Sequence, residues 1–164
     1  MRLQIVEKIL MTILLLLGIV GSVNAQDKIM LGRTEEVLLL PWGVKLPARI
    51  DTGSGYCSLD ARELKIDNGV AEFKLPDLYG GLQLRLPVIR WRNIRSTNSR
   101  GRRAVVQIEI RLGPKLLHVE ANLEDRSRVK NPLLIGRNAL RHGFVVDPSK
   151  ANIAPPEHRG GRDL

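Results

Sequence analysis

The chain has 164 residues, with 26 Lys and Arg against 17 Asp and Glu, and a formal net charge of +9. Its length is that of one domain with a single hydrophobic core of ordinary size. The positive charge is compatible with nucleic-acid binding, but two Trp, two Tyr and two Phe supply few stacking surfaces, and no nucleic-acid partner is expected.

The first 25 residues have the layout of a secretory signal peptide. A charged start with Arg2 and Lys8 is followed by an apolar run over 9–20 and by a small-residue end at Ala25. Cleavage after Ala25 would place the mature protein in the periplasm or outside the cell. The apolar run of about twelve residues is too short for an ordinary membrane span, although retention as an uncleaved anchor stays an open alternative.

Residues 26–147 are expected to form the folded domain, and its first half reads as short strands. Gly43 separates the first two apolar runs, which predicts a hairpin. Asn68-Gly69 separates the next two and is a strong hairpin signal, while the composition of 76–81 predicts a loop. The strands predicted here are 36–42, 46–50, 64–66 and 70–75.

The second half continues the same pattern. Residues 105–112 alternate between apolar and polar side chains, apart from Val105, which is typical of a half-buried strand. The link 95–102 is polar, and a short helix over 137–142 is expected to end at Gly143. The strands predicted here are 86–94, 103–112, 116–123, 132–135 and 144–146.

Many short strands separated by turns predict an all-β fold, a closed barrel with one short C-terminal helix. Beyond Asp147 the composition changes to Pro, Gly and charged residues, so 148–164 are expected to form a disordered tail.

The strongest chemical signal lies in the stretch 49–59. An apolar run ends at Asp51, and a carboxylate at a strand end, beside exposed N–H groups, can be held in one orientation. Gly53 and Gly55 allow a second backbone to approach closely. Asp-Thr-Gly is also a common turn, so the motif alone leaves a purely structural role open. Cys57 has no partner for an internal disulfide and is interpreted as a small buried residue.

A downstream segment adds to this motif. An apolar-apolar-Gly-Arg-Asn run that leads into a short helix, after an Asp-Thr-Gly, resembles the single-domain aspartic proteases called retropepsins. The resemblance implies that this strand passes behind the catalytic turn, and that its glycine is needed because the two backbones come close. The residues concerned are Asp51, Thr52 and Gly53 in the turn and Leu134, Ile135, Gly136 and Arg137 behind it.

More specifically, the sequence resembles the bacterial retropepsin-like family often labelled "ATP-dependent zinc protease". The scattered positions of His118, His142 and His158 do not support zinc, no P-loop supports ATP, and no metal or cofactor is expected. The pattern that carries the resemblance is Ile50 to Gly53, Arg95-Ser96-Thr97-Asn98, Val105-Val106, Asp125-Arg126-Ser127 and Leu134 to Arg137.

The resemblance implies an aspartic endopeptidase whose two carboxylates share a proton. The chain has a single Asp-Thr-Gly, and Pro148 disqualifies Asp147-Pro148-Ser149 because the turn requires the N–H that proline lacks. A homodimer is therefore expected, with Asp51 of each copy on a two-fold axis. By resemblance, Thr52 would bond across to the partner's loop, and Ser54, where the family usually has Ala, would tune the dyad if its hydroxyl reaches Asp51.

The link 95–102 resembles a retropepsin flap. By resemblance it would contact a peptide or protein substrate through Arg95, Ser96, Thr97, Asn98 and Arg102. Arginine side chains bind carboxylates with two parallel hydrogen bonds, so the arginines clustered over 85–103 suggest an acidic, glutamate-rich substrate. A solvated basic surface, or one that faces anionic lipid or a partner, explains the same cluster.

A competing interpretation keeps the retropepsin frame without the activity. The protein would then be monomeric or lack a competent dyad. It would serve as a periplasmic binding or regulatory protein for acidic peptides or for a membrane-protein partner.

Overall fold

The computed structural model describes residues 28–96 and 99–156. In this part of the chain no helix is both long and apolar enough to cross a membrane. A 3₁₀ turn spans Asp77–Tyr79, and a short helix, α1, spans Arg137–Leu140. In chain order the strands are β1 (Ile29–Leu31), β2 (Thr34–Leu40), β3 (Val44–Ile50), β4 (Cys57–Asp60), β5 (Arg62–Asp67), β6 (Val70–Lys74), β7 (Gln83–Pro87), β8 (Arg90–Ser96), β9 (Ser99–Leu112), β10 (Lys115–Glu124), β11 (Leu133–Ile135) and β12 (Phe144–Val146).

Six strands close into a barrel in the order β10-β4-β11-β3-β2-β9, with β9 pairing back to β10. Closure gives each barrel strand a neighbour on both sides, which satisfies its backbone groups. Their inward-facing apolar side chains form the core, for example Val37, Leu39, Leu46, Ile110 and Leu133. The predicted all-β closed barrel with one short helix is confirmed.

A long hairpin extends from the barrel where the flap was predicted. It is formed by β8 and the first half of β9, with backbone pairs from Arg90↔Val105 to Ser96↔Ser99. The prediction of one continuous strand over 86–94 is wrong, because β7 ends at Pro87 and β8 begins at Arg90. Proline has no N–H to continue the first ladder, and the amide of Ile89 donates to Val105 O in the second.

A separate three-stranded sheet, β5-β6-β7, packs on the outside of the barrel. The hairpin predicted at Asn68-Gly69 is present, and both residues have the positive φ that a tight two-residue turn requires, 47° and 77°. Phe73 and Leu84 are buried and join the main hydrophobic core. This sheet therefore adds to the core of the barrel.

The C-terminal segment corrects the prediction of a disordered tail over 148–164. Residues 147–156, called the strap below, follow β12 and run along β1 and β2. The amide of Arg33 donates to Lys150 O at 2.8 Å, and the amide of Asn152 donates to Thr34 O at 2.7 Å. The composition of this segment did not predict an ordered strap, because backbone hydrogen bonds to distant residues hold it in place, and composition does not reveal such bonds. Residues 157–164, and the predicted signal peptide 1–25, lie outside the described residues.

Glu35 anchors the strap through a fully buried carboxylate. Its Oε1 accepts hydrogen bonds from the amides of Gly32 at 2.5 Å and Ile153 at 3.3 Å, and its Oε2 accepts one from Ala154 at 3.0 Å. A buried carboxylate is stable only when its oxygens are satisfied in this way.

We expect Glu35→Ala to lower the free energy of unfolding by about 2 kcal/mol, because it leaves buried N–H donors without an acceptor. Urea unfolding measures the loss, and hydrogen exchange should accelerate at Ile153 and Ala154. Glu36→Ala is the matched control, since Glu36 forms an exposed ion pair with Lys45 that contributes about 0–1 kcal/mol. Equal losses in the two variants would contradict the anchoring role.

Candidate active site

The Asp51 turn begins where β3 ends in the middle of the barrel sheet. β11 lies between β3 and β4, parallel to the first and antiparallel to the second. The amide of Asp51 donates to Ile135 O at 2.9 Å, one residue past the pair Ile135↔Ile50. The backbone position of Asp51 is therefore set by two central strands.

Backbone amides of the same turn orient the half-buried Asp51 side chain. Its Oδ1 accepts hydrogen bonds from Gly53 N at 2.9 Å and Ser54 N at 3.2 Å. Its Oδ2 accepts none from the described residues. One oxygen is thus held by the turn, and the other remains available to a water, a substrate or a second carboxylate.

The Ser54 hydroxyl does not reach Asp51 as the tuning hypothesis required. It donates instead to Tyr56 O at 2.9 Å. The hydroxyl therefore supports the later part of the turn, and Ser54 contacts the carboxylate through its backbone.

Gly136 lies directly behind the turn, at the end of β11. A Cβ atom at this position would lie 2.5 Å from the carbonyl carbon and 2.8 Å from the nitrogen of Tyr56. Only a residue without a side chain permits this approach. The next residues complete the contact, because Arg137 N donates to Ser54 O and Asn138 N to Gly55 O.

The guanidinium of Arg137 binds two backbone carbonyls of the turn. Its Nη1 donates to Thr52 O at 2.9 Å and to Gly53 O at 2.7 Å. These two carbonyls follow Asp51 directly, so Arg137 orients the peptide units whose amides face the carboxylate. The Thr52 side chain is exposed on the surface.

Asn138 is a site residue that sequence reasoning did not single out. Its Oδ1 accepts from Cys57 N at 3.0 Å, and its Nδ2 donates to Glu120 O at 2.8 Å, so it joins α1 to β4 and β10. The Gly-Arg-Asn run was the available signal. Cys57 is buried, as predicted, and burial raises the pKa of its thiol to about 11, which keeps it protonated and poorly reactive.

Tyr56 connects the turn to the base of the flap. The guanidinium carbon of Arg92 lies 3.8 Å from the ring centroid and that of Arg90 lies 5.0 Å away. Both distances fall within the range of cation–π contacts. Arg90 also donates through Nε to Glu120 Oε2 at 3.0 Å, so β8, β10 and the turn are linked.

The predicted flap residues are only partly covered by the structure. The backbones of Arg95 and Ser96 belong to β8, and Thr97 and Asn98 lie outside the described residues. Arg102 is exposed, and its guanidinium carbon lies 5.2 Å from the ring centroid of Trp91.

A cleft of about 830 Å³ opens beside the turn. The cleft is lined by Gly55 and Tyr56 of the turn, by Arg90 of β8, by residues of β9 and β10, and by α1 with the residues that follow it. His118 and His142, far apart in sequence, both line this cleft. Among the described residues no three His, Cys, Asp or Glu side chains cluster closely enough to hold a metal ion.

The chain is similar to known proteins in sequence and in fold. The chain is 28% identical over 137 residues to probable alpha-L-glutamate ligases of Shewanella pealeana and Shewanella halifaxensis, a match that covers 77% of this chain and 30% of each relative. The crystal structure of Lpg0085, a DUF785 protein of unknown function from Legionella pneumophila, superposes with a TM-score of 0.67 at 27% identity, covering 77% of this chain and 98% of that one.

The family profile described as RimB-like, "Retropepsin-like aspartic endopeptidase RimB", matches residues 30–157. This range contains the Asp51 turn, the flap hairpin, β11 and the whole strap. The resemblance to retropepsins is therefore confirmed, and the chain belongs to the RimB-like family of retropepsin-like aspartic endopeptidases.

Proposed function

We propose that this protein is an aspartic endopeptidase that hydrolyses peptide bonds in acidic peptides, using one Asp51 from each of two copies. The observation that carries the proposal is the Asp51 carboxylate, with Oδ1 held by two backbone amides and Oδ2 open. Family membership supports the same reaction class.

In this chemistry two carboxylates lie close together and share one proton. The ionised one acts as general base on a water molecule, and the protonated one polarises the substrate carbonyl. Two neighbouring like charges do not both ionise easily, so the titration belongs to the pair. The turn's role is to present one of these carboxylates in a fixed orientation.

The second carboxylate has to come from another copy of the chain. Asp147, which begins the segment Asp147-Pro148-Ser149, belongs to the strap. Its pKa lies below the usual value because the hydroxyl and the amide of Ser149 donate to its carboxylate. Asp147 is thus fully occupied in a local turn.

We place the contact between copies on the ribbon formed by β1 and β12. The paired residues Met30 and Val145 are exposed to 46% and 37%, which makes the ribbon an apolar surface. It adjoins a mostly apolar hollow of about 370 Å³ lined by Thr52, Leu140 and Phe144 among others, and Arg137 and Arg141 line both this hollow and the cleft beside the Asp51 turn. A partner seated on this face would lie next to the Asp51 turn.

Val145→Asp should raise the dissociation constant of the dimer at least about tenfold, since it buries a charge in an apolar contact. Sedimentation velocity across a concentration series measures the shift, and peptidase activity should fall in parallel at low protein concentration. Leu78→Asp is the control, because Leu78 is 84% exposed on the 3₁₀ turn and does not line the hollow. A dimer that Val145→Asp leaves intact would place the interface elsewhere.

The acidic substrate class rests on charge. The net charge is +9, and arginine side chains bind carboxylates through paired, charge-assisted hydrogen bonds. The names of the two relatives, probable alpha-L-glutamate ligases, support glutamate-containing peptides as the substrate class of this chain. We further propose that the protein acts in the periplasm or outside the cell, on the basis of the signal-peptide pattern in residues 1–25.

The direct test is incubation with a library of acidic and neutral peptides, read by mass spectrometry, together with sedimentation of the same sample. Cleavage of acidic peptides by a dimer supports the proposal. A monomer that binds acidic peptides and leaves them intact supports instead a binding or regulatory role, including one for a membrane-protein partner.

A further inference from the structure

We propose that the cleft beside the Asp51 turn, bounded by Tyr56, Arg137 and Arg141, is a binding site for side-chain carboxylates of the substrate outside the scissile bond. The proposal rests on the endopeptidase function proposed above. It assigns substrate specificity to α1 and to residues of β9 and β10, whereas the sequence analysis predicted that the flap would provide it.

The lining of the cleft carries an excess of positive charge. Its one carboxylate, Glu120, is already paired with Arg90. Arg137 donates through Nη1 to neutral carbonyls, so its positive charge is not compensated there. Arg141 is exposed and forms no ion pair with a described residue. Two guanidinium groups are therefore available to an anion.

The size of the cleft suits part of a peptide. Its volume of about 830 Å³ is within the range of about 300–1,000 Å³ typical of ligand sites. Three of its lining residues are arginines, and a cleft lined by charges of one sign strengthens the field that an anion meets inside it. Arginine contributes paired donors, so carboxylates are the matching ligand class.

The distance to the reacting carboxylate limits where the acidic residue can lie. Gly55, which lines the cleft, is four residues after Asp51. Four residues span at most about 14 Å. A substrate bound in extended form would therefore carry its acidic residue within about four positions of the scissile bond.

The test measures peptide binding with the full chain in the Asp51→Asn background, so that the peptide stays intact. A fluorescent peptide with two glutamates is compared with its glutamine counterpart by anisotropy. Arg141→Glu and Gln107→Glu should each weaken binding of the acidic peptide about tenfold, because each brings a negative charge into the cleft. Gln107 lines the cleft but not the hollow of the proposed dimer contact, so its effect is independent of dimer formation.

Arg128→Glu is the control for net charge, since it makes the same charge change as Arg141→Glu, and a larger one than Gln107→Glu, at an exposed residue that does not line the cleft. Equal weakening by all three variants, or no weakening by Gln107→Glu, overturns the proposal. In the active protein, moving one glutamate along a neutral peptide should raise kcat/KM only near the scissile bond. If the wild-type protein binds acidic peptides in the cleft but cleaves none, the proposed peptidase is refuted and the cleft assignment stands. If it cleaves peptides with no preference for acidic ones, the peptidase stands and the cleft assignment is refuted.

Discussion

Asp51→Asn is expected to lower kcat by about 10² to 10⁴, the range that a positioned general acid or base contributes. Asparagine keeps an oxygen that can accept from Gly53 N and Ser54 N, so the turn should retain its geometry. It cannot take a proton from water, so the general base is lost. Initial rates on a cleaved acidic peptide measure the effect.

Asp67→Asn is the matched control, because it removes one carboxylate from the exposed Asn68-Gly69 hairpin. Its kcat should equal that of the wild type. Comparable activity in Asp51→Asn and the wild type would exclude Asp51 as the catalytic group.

Mixing subunits tests whether the site is shared between two copies. If subunits exchange freely, a ninefold excess of Asp51→Asn should reduce the activity per wild-type subunit to about one tenth, since most wild-type chains then have an inactive partner. An enzyme complete in one chain would show no reduction, which would contradict the shared dyad.

Gly136→Ala is expected to lower the free energy of unfolding by at least about 3 kcal/mol, at the upper end of the cost of overpacking. The added Cβ would meet the backbone of Tyr56 at 2.5 Å and 2.8 Å. Backbone held between β4 and α1 cannot move aside as a flexible side chain would. Urea denaturation measures the loss, and cleavage should also fall because the same shift displaces the Asp51 turn.

Gly101→Ala provides the comparison for a glycine in a strand, since a Cβ at position 101 meets no atom of the described part of the chain within 4 Å. Its stability should change by no more than about 0.5 kcal/mol. If Gly136→Ala were equally mild, the close approach of β11 to the turn would not be a structural requirement of the site.

Local signals in the sequence were sufficient for several elements. The hairpin at Asn68-Gly69 follows from two residues that tolerate positive φ. The buried pattern of β9 follows from alternation along one strand, with Ile108 and Ile110 buried and Gln107 exposed. Such features depend on neighbours in the chain, so they can be read without the fold.

Other elements had no local signal. β4 was not predicted, because all four of its residues are buried between β10 and β11 and show no alternation. The strap looked like a disordered tail, because Glu35 and backbone partners hold it from a distant part of the chain. The Ser54 hydroxyl donates to Tyr56 O instead of reaching Asp51, because the local path of the turn decides which acceptor lies nearby.

The sequence by itself determined that this is an all-β chain, with a carboxylate at a strand end and a glycine-containing strand to place behind it. Periodicity and turn chemistry act over a few residues, so they can be read from the sequence alone. Only the tertiary structure decided that Arg137 holds the Asp51 turn and that Arg137 and Arg141 share a cleft with Tyr56. Those contacts join residues more than eighty positions apart, and the pairing of β11 with β3 and β4 brings them together.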